Sequence, residues 1–164
     1  ISNSRCDPNL FVTENVGRNY MNKDKIEEIV RKVVFEVMAR EEADKKISKS
    51  GVMSVNLKAL KLDKFDTGKD GDKVYLKDAV SLEESPRLGA GMMEMEESTF
   101  DWTLKYDEMD YIIEGSLDIL IDGEKITGNA GDMIYIPKNS KIQFSAPKYA
   151  KFFYVTYPAN WMEQ

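Results

Sequence analysis

Histidine is absent from the 164 residues, and Cys6 is the single cysteine. No disulfide can form within such a chain, and a four-ligand zinc site built from Cys and His is excluded. Long apolar runs are missing as well: nothing approaches the ~20 consecutive apolar residues of a membrane span, and nothing resembles a secretory signal. Basic charge is in deficit, with 23 Lys and Arg against 29 Asp and Glu and a net charge of -6. That balance disfavours nucleic acid as a partner, because neutralising phosphates requires a clustered basic surface. With 42% hydrophobic and 32% charged residues, the composition is that of a soluble globular protein, and one main domain with an appendage is expected. A reducing cytosol is the simplest location for it. The chain opens at Ile1 rather than Met, which reads as a truncated or processed start.

Residues 1–20 show neither helical nor strand periodicity and are interrupted by Pro8, Gly17 and four Asn, so an irregular arm is expected. Over residues 24–40, Ile26, Ile29, Val30, Val33, Val34, Val37 and Met38 recur on one helical face, the pattern of an amphipathic helix. Asp24 followed by Glu27 matches a capping box, and Glu28 adds negative charge at the positive end of the helix dipole. Arm and helix together form residues 1–40. Residues 41–54, "EEADKKISKSGVMS", are charged and poor in large apolar side chains, which predicts a linker.

Residues 55–164 change period from 3.6 to 2, and their short apolar runs are separated by Gly, Pro, Asp and Asn. This predicts a mainly β domain. In "SLDILIDGEKI", Leu117, Ile119 and Ile121 alternate with acidic residues before Asp122-Gly123, a favoured hairpin turn. Pro137 must end the strand "GDMIYI", since it has no N–H for a ladder. "RLGAGMMEMEES" reads as a strand running close under neighbouring backbone, and "KFFYVTYP" carries large residues to both faces. Many short antiparallel strands that must hide their edges favour a jelly roll.

Glu108, six residues, Gly115, fifteen residues, then "GDMIYIPKNSKI" from Gly131 resembles the paired motifs of the cupin superfamily. That resemblance implies a cupin-type jelly-roll β-barrel behind an N-terminal amphipathic helix. The cupin pattern places histidines six and four residues before the Glu and five after the Pro; here those positions hold Trp102, Leu104 and Ile142. Of the usual ligands only Glu108 remains, so a metal site of the standard cupin transition-metal type is not expected. The strings "LGAG", "WTLKYDEMDYIIEG", "AGDMIYIPK" and "YPANW" are together similar to the EutQ family, cupin-like proteins of bacterial ethanolamine utilisation.

The EutQ resemblance implies a role at the ethanolamine microcompartment and an acetate kinase activity, with Mg-ATP as co-substrate and no tightly bound cofactor. In the cupin pattern Trp102, Leu104 and Glu108 point into the barrel, and Asp110 shares their parity. Glu108, Asp110 and Tyr106 are therefore the catalytic candidates, with Trp102, Leu104, Asp107 and Ile142 expected to line the pocket and Tyr106 and Asp107 placed at its rim. Lys138, Lys105 and Arg87 are candidates for phosphate binding. No GxxxxGK[ST] loop is present. The alternative is a non-catalytic binding or assembly module. Its helix at 24–40 would dock on a microcompartment shell or an encapsulated enzyme, or pack on its own barrel or a second copy. A homodimer is expected, covering sheet edges and the apolar residues of "KFFYVTY".

Overall fold

The computed structural model describes residues 25–27, 29–31 and 45–163. The chain divides into two units, residues 1–40 and 41–164. In the first, residues 25–27 and 29–31 are helical and lie within the helix expected over 24–40; the arm and the rest of that helix fall outside the described residues. Ile26, Ile29 and Val30 are 43%, 42% and 52% exposed.

The second unit begins with a hairpin, β1 (Lys45–Ile47) and β2 (Met53–Val55), in which Ile47 faces Met53. It lies inside the segment whose composition reads as a linker. Its turn is closed by Ser48, whose backbone N–H donates to the Val52 carbonyl and whose hydroxyl accepts from the Val52 N–H. Polar side chains hid it, because register here is set by backbone and turn chemistry.

Seven further strands follow: β3 (Asp63–Lys64), β4 (Lys73–Asp78), β5 (Gly89–Thr103), β6 (Asp107–Ile121), β7 (Glu124–Asn129), β8 (Met133–Ile136) and β9 (Lys141–Tyr157). They form one antiparallel sheet in the order β3-β4-β5-β9-β6-β7, with β8 also paired to β6. The sheet is carried by β5, β6 and β9, of 15, 15 and 17 residues, far beyond the usual strand of ~5 to 6. Such strands curl only where the ladder is broken, and register shifts occur at Glu96/Ser98, Ile112/Glu114 and Gly115/Asp118. Gly115 takes φ 72° at one of these breaks, and a Cβ there would run into the Tyr149 carbonyl. Asp122 and Gly123, at φ 50° and 82°, make the expected turn between β6 and β7. Pro137 follows directly on β8, as its missing donor requires.

Alternation along each strand builds the core. Leu104, Ile112, Leu117, Met95 and Phe152 are fully buried. Gly91 packs against the Tyr154 side chain and the Lys77 carbonyl, so β5 does run close beneath its neighbours. At the C-terminal end, the chain passes the cis Tyr157–Pro158 bond into a 3-10 turn, Trp161–Glu163, which returns Trp161 to the core cluster.

Candidate functional site

β6 alternates strictly at its start: Glu108, Asp110 and Ile112 are buried, while Met109, Tyr111 and Ile113 are exposed. Two carboxylates therefore point into the barrel, Glu108 at 5% exposure and Asp110 at 0%. Across the ladder to β9, Glu108 lies opposite Thr156 and Asp110 opposite Tyr154; on the β8 side they face Ile136 and Ile134. Neither carboxylate oxygen of Asp110 nor the Thr156 hydroxyl has a hydrogen-bond partner of ordinary geometry among the described residues, and Asp110 interacts instead with the Glu108 carboxyl beside it. Other buried acids are satisfied. Asp118 accepts from Thr127 Oγ1 at 2.6 Å and from Lys125 Nζ at 3.3 Å, and Asp72 accepts from Thr67 Oγ1 at 2.7 Å. An unpaired buried polar group costs ~1 to 3 kcal/mol, so the exception at Asp110 and Thr156 calls for a role.

Burial disfavours charge here. It pushes the Glu108 carboxyl up to about 7, and it raises Asp110 well above the carboxylate range, with the Glu108 charge adding to the effect. Tyr106 is raised by burial and then by the Glu108 charge; its oxygen accepts the Trp102 Nε1–H at 2.8 Å. Tyr154 is raised by burial and by Asp78, to which its hydroxyl donates at 2.7 Å.

Glu108 and Thr156 open onto a chamber of about 20 Å³, room for roughly one water. Seven of its ten lining residues are aromatic and none is cationic. Trp161 forms one wall, with ring centroids 5.9 Å from Tyr106, 6.0 Å from Tyr154 and 6.3 Å from Trp102. The same indole borders a second space, a cleft of about 330 Å³ lined by Lys45, Lys77, Asp78, Ser81, Ser85 and Asn160 among others. Asp78 Oδ1 accepts from Trp161 Nε1 at 3.3 Å as well as from Tyr154. One carboxylate thus holds the partition between chamber and cleft.

The residues named from sequence separate into groups. Glu108, Asp110, Tyr106 and Trp102 come together at or beside the chamber. Tyr106 is not at a rim: it is 3% exposed within the core cluster, turned inward by the connection between β5 and β6, where its ring meets Trp161 and its oxygen accepts the Trp102 Nε1–H. Asp107 does not line the pocket. Its parity, opposite to that of Glu108, turns it outward, where it accepts from Tyr135 Oη at 3.0 Å and from the Lys138 N–H at 2.9 Å. Leu104 and Ile142 are packed core residues and do not border the chamber. Lys138, Lys105 and Arg87 are exposed and line neither chamber nor cleft; Lys105 borders a shallow groove with Tyr106 and Trp161. Sequence reasoning missed Thr156, Tyr154, Asp78 and Trp161. Strand alternation in "FYVTY" marks Tyr154 and Thr156 as same-face residues, but only the β6–β9 register sets them opposite the two acids.

Among the described residues no three His, Cys, Asp or Glu side chains converge as a metal site would require. Two buried carboxylates and a ring of aromatics are a poor donor set for a transition metal. Comparison with known proteins places this arrangement. The family model "Ethanolamine utilisation protein EutQ" matches residues 21–163. The chain belongs to the EutQ family.

Among EutQ relatives, "Acetate kinase EutQ" of Clostridioides difficile is 52% identical over 151 residues, covering 88% of this chain and 96% of that one. "Acetate kinase EutQ" of Salmonella typhimurium is 39% identical over 113 residues, 69% of this chain but 49% of the relative, so the match spans about half of that longer protein. The solved structure of the Clostridium difficile EutQ protein superposes with a TM-score of 0.73 at 56% identity, covering 75% of this chain and 92% of that one. The mainly β fold expected from the motifs is thus one that this chain shares with a solved EutQ structure.

Proposed function

We propose that this chain is an acetate kinase of ethanolamine utilisation, transferring a phosphoryl group between ATP and acetate. The observation that carries the reading is the 52% identity to "Acetate kinase EutQ" of Clostridioides difficile across 96% of that protein. In the forward direction an acetate oxygen attacks the γ-phosphorus of ATP, the bond to the bridging oxygen breaks, and ADP leaves; acetyl phosphate is the product. The cleft beside Trp161 has the size for this chemistry, since small-molecule sites run from ~300 Å³ upward. Asp78 and Glu163 are its carboxylates, suited to a hydrated Mg²⁺ carried in with ATP. Lys45 and Lys77 are its cations, held 2.8 Å from Glu84 and 2.6 Å from Asp63, carboxylates with which a phosphate would compete. Glu108, Asp110 and Tyr106 reach the reacting groups only if Trp161 moves aside. The test is acetyl phosphate formed from ATP, Mg²⁺ and acetate by the full chain. A rate above buffer that falls at least tenfold in Lys77→Ala supports the reading, and a rate equal to buffer defeats it.

The exposed stripe of Ile26, Ile29 and Val30 favours a second role beside the first, docking of residues 24–40 on a microcompartment shell or an encapsulated enzyme. A fluorescent fusion lacking residues 1–45 should then lose its punctate localisation; unchanged recruitment would rule the role out. The protein acts as a homodimer in this reading.

A further inference from the structure

Asp78 is an exposed residue of the cleft whose carboxylate is gripped from inside the barrel. Both donors land on one oxygen: Oδ1 accepts the Tyr154 hydroxyl at 2.7 Å and the Trp161 indole N–H at 3.3 Å, while Oδ2 has no hydrogen-bond partner among the described residues. Tyr154 and Trp161 are 2% and 7% exposed, so core packing fixes the two donors in place. Tyr154 reaches Asp78 along a single row of the sheet. Asp78 on β4 lies opposite Gly91 on β5, Gly91 opposite Tyr154 on β9, and Tyr154 opposite Asp110 on β6. Gly91 is the gap through which the phenol passes, since a Cβ there would strike its ring and hydroxyl. The phenol thus donates to the exposed acid two strands away and not to the buried Asp110 beside it. Burial and then the Asp78 charge push its ionisation up, so it stays a donor through the ordinary pH range. Glu163, by contrast, is exposed on the C-terminal turn and accepts from Asn160 Nδ2 of that turn at 3.3 Å.

We propose that Tyr154 and Trp161 are positioning residues for phosphoryl transfer: they fix Asp78 by one oxygen and leave the other to the Mg²⁺ that accompanies ATP. The inference rests on the acetate kinase role proposed for the cleft. An aspartate on a surface gives up rotamer freedom when it takes a ligand, and here two donors anchored in the core have already removed that freedom. Because both are neutral donors, they leave the carboxylate its charge and Oδ2 its lone pairs. Mg²⁺ demands near-octahedral oxygen geometry and keeps several waters, so the protein need supply little more than one well-placed carboxylate oxygen beside the phosphates. Lys45 and Lys77 border the same cleft for the phosphates themselves. Hydrogen bonds behind a ligating group tune metal affinity by ~10- to 100-fold. The competing view is that Asp78 does no more than satisfy two buried donors. The two differ in whether loss of the phenol hydroxyl touches a step that depends on Mg²⁺.

Calorimetric binding of a non-hydrolysable ATP analogue to the full chain, with Mg²⁺ and again in EDTA, tests it. Tyr154→Phe keeps the ring and removes the hydroxyl. Its Kd for the Mg²⁺-complexed analogue should rise about tenfold, while its Kd for the metal-free analogue should change little. Trp161→Phe, which removes the other donor, should weaken the Mg²⁺-complexed analogue more than the metal-free one, so the test does not hang on the folding of one variant. In an Asp78→Asn background, which keeps Oδ1 as an acceptor but loses the charge, Tyr154→Phe should have no further effect on either Kd. Equal changes with and without Mg²⁺, or a tenfold loss that persists in Asp78→Asn, would overturn the inference and leave the two donors as packing. Wild-type protein that does not bind the Mg²⁺-complexed analogue would overturn the kinase role and the inference with it. Binding to the wild type that Tyr154→Phe leaves untouched would overturn the inference alone.

Discussion

Trp161 donates its indole N–H to Asp78 Oδ1 at 3.3 Å, and this contact across the mouth of the barrel separates the inner chamber from the outer cleft. Asp78 lies on β4 and Trp161 on the C-terminal turn, 83 residues away along the chain. Local sequence says nothing of such a pairing.

The first prediction concerns that partition. Trp161 is 7% exposed and meets four aromatic rings, those of Phe65, Trp102, Tyr106 and Tyr154. Trp161→Ala should cost about 3 to 5 kcal/mol in urea unfolding. Trp161→Phe keeps most of the contact and should cost less than half as much. Equal losses would mean that the hydrogen bond to Asp78, and not ring packing, holds the turn.

Stability should decline as pH rises through neutrality. The Glu108 carboxyl goes from 4.5 in the unfolded chain to about 7 in the fold, so between those values the native state holds the extra proton. Its contribution is complete below about 4.5 and is lost as pH climbs through about 7, on the order of 3 kcal/mol. Asp110, raised by burial and by Glu108, extends the loss to higher pH. Tyr106 and Tyr154 titrate above this window, and no cation lines the chamber. Urea unfolding at pH 5 and pH 8 should show a gap that shrinks in Glu108→Gln; an unchanged gap would assign it to other groups.

Two glycines at positive φ should differ sharply. Gly115→Ala meets the Tyr149 carbonyl and carries left-handed strain as well, whereas Gly123→Ala meets nothing within 4 Å. The second should cost ~1 to 2 kcal/mol from backbone strain alone. The first should cost several times that, or prevent folding. Circular dichroism melts of both variants check the order.

Much of this was legible in the sequence because β-strands write their burial in a period of two. Glu108 could be placed inside the barrel from the motif resemblance and Asp110 from its shared parity with Glu108, and Asp122-Gly123 and Pro137 marked the ends of their strands. The same rule would have put Asp107 outside, whereas Tyr106 sits in the connection before β6, where alternation gives no guidance. What parity cannot supply is the partner strand. Thr156 lies opposite Glu108 only through the long β6–β9 register, and Asp78 and Trp161 meet only once the barrel closes. The hairpin of residues 45–55 escaped notice because its side chains are mostly polar.

The outer face of β6 and β8 predicts self-association. Tyr111 pairs with Met133 and Met109 with Tyr135, and these four are 48% to 58% exposed. An apolar surface of this kind marks an interface. Sedimentation should give twice the 18.8 kDa of one chain, and Tyr111→Lys should shift the equilibrium to the monomer. A wild-type mass of a single chain would refute the dimer.

Soaking crystals with a non-hydrolysable ATP analogue, Mg²⁺ and acetate tests the central claim most directly. The account predicts phosphate density in the cleft within reach of Lys45, Lys77 and Asp78, with Trp161 still closing the chamber. Triphosphate density inside the barrel against Glu108, or on a surface that none of these residues touches, would contradict it.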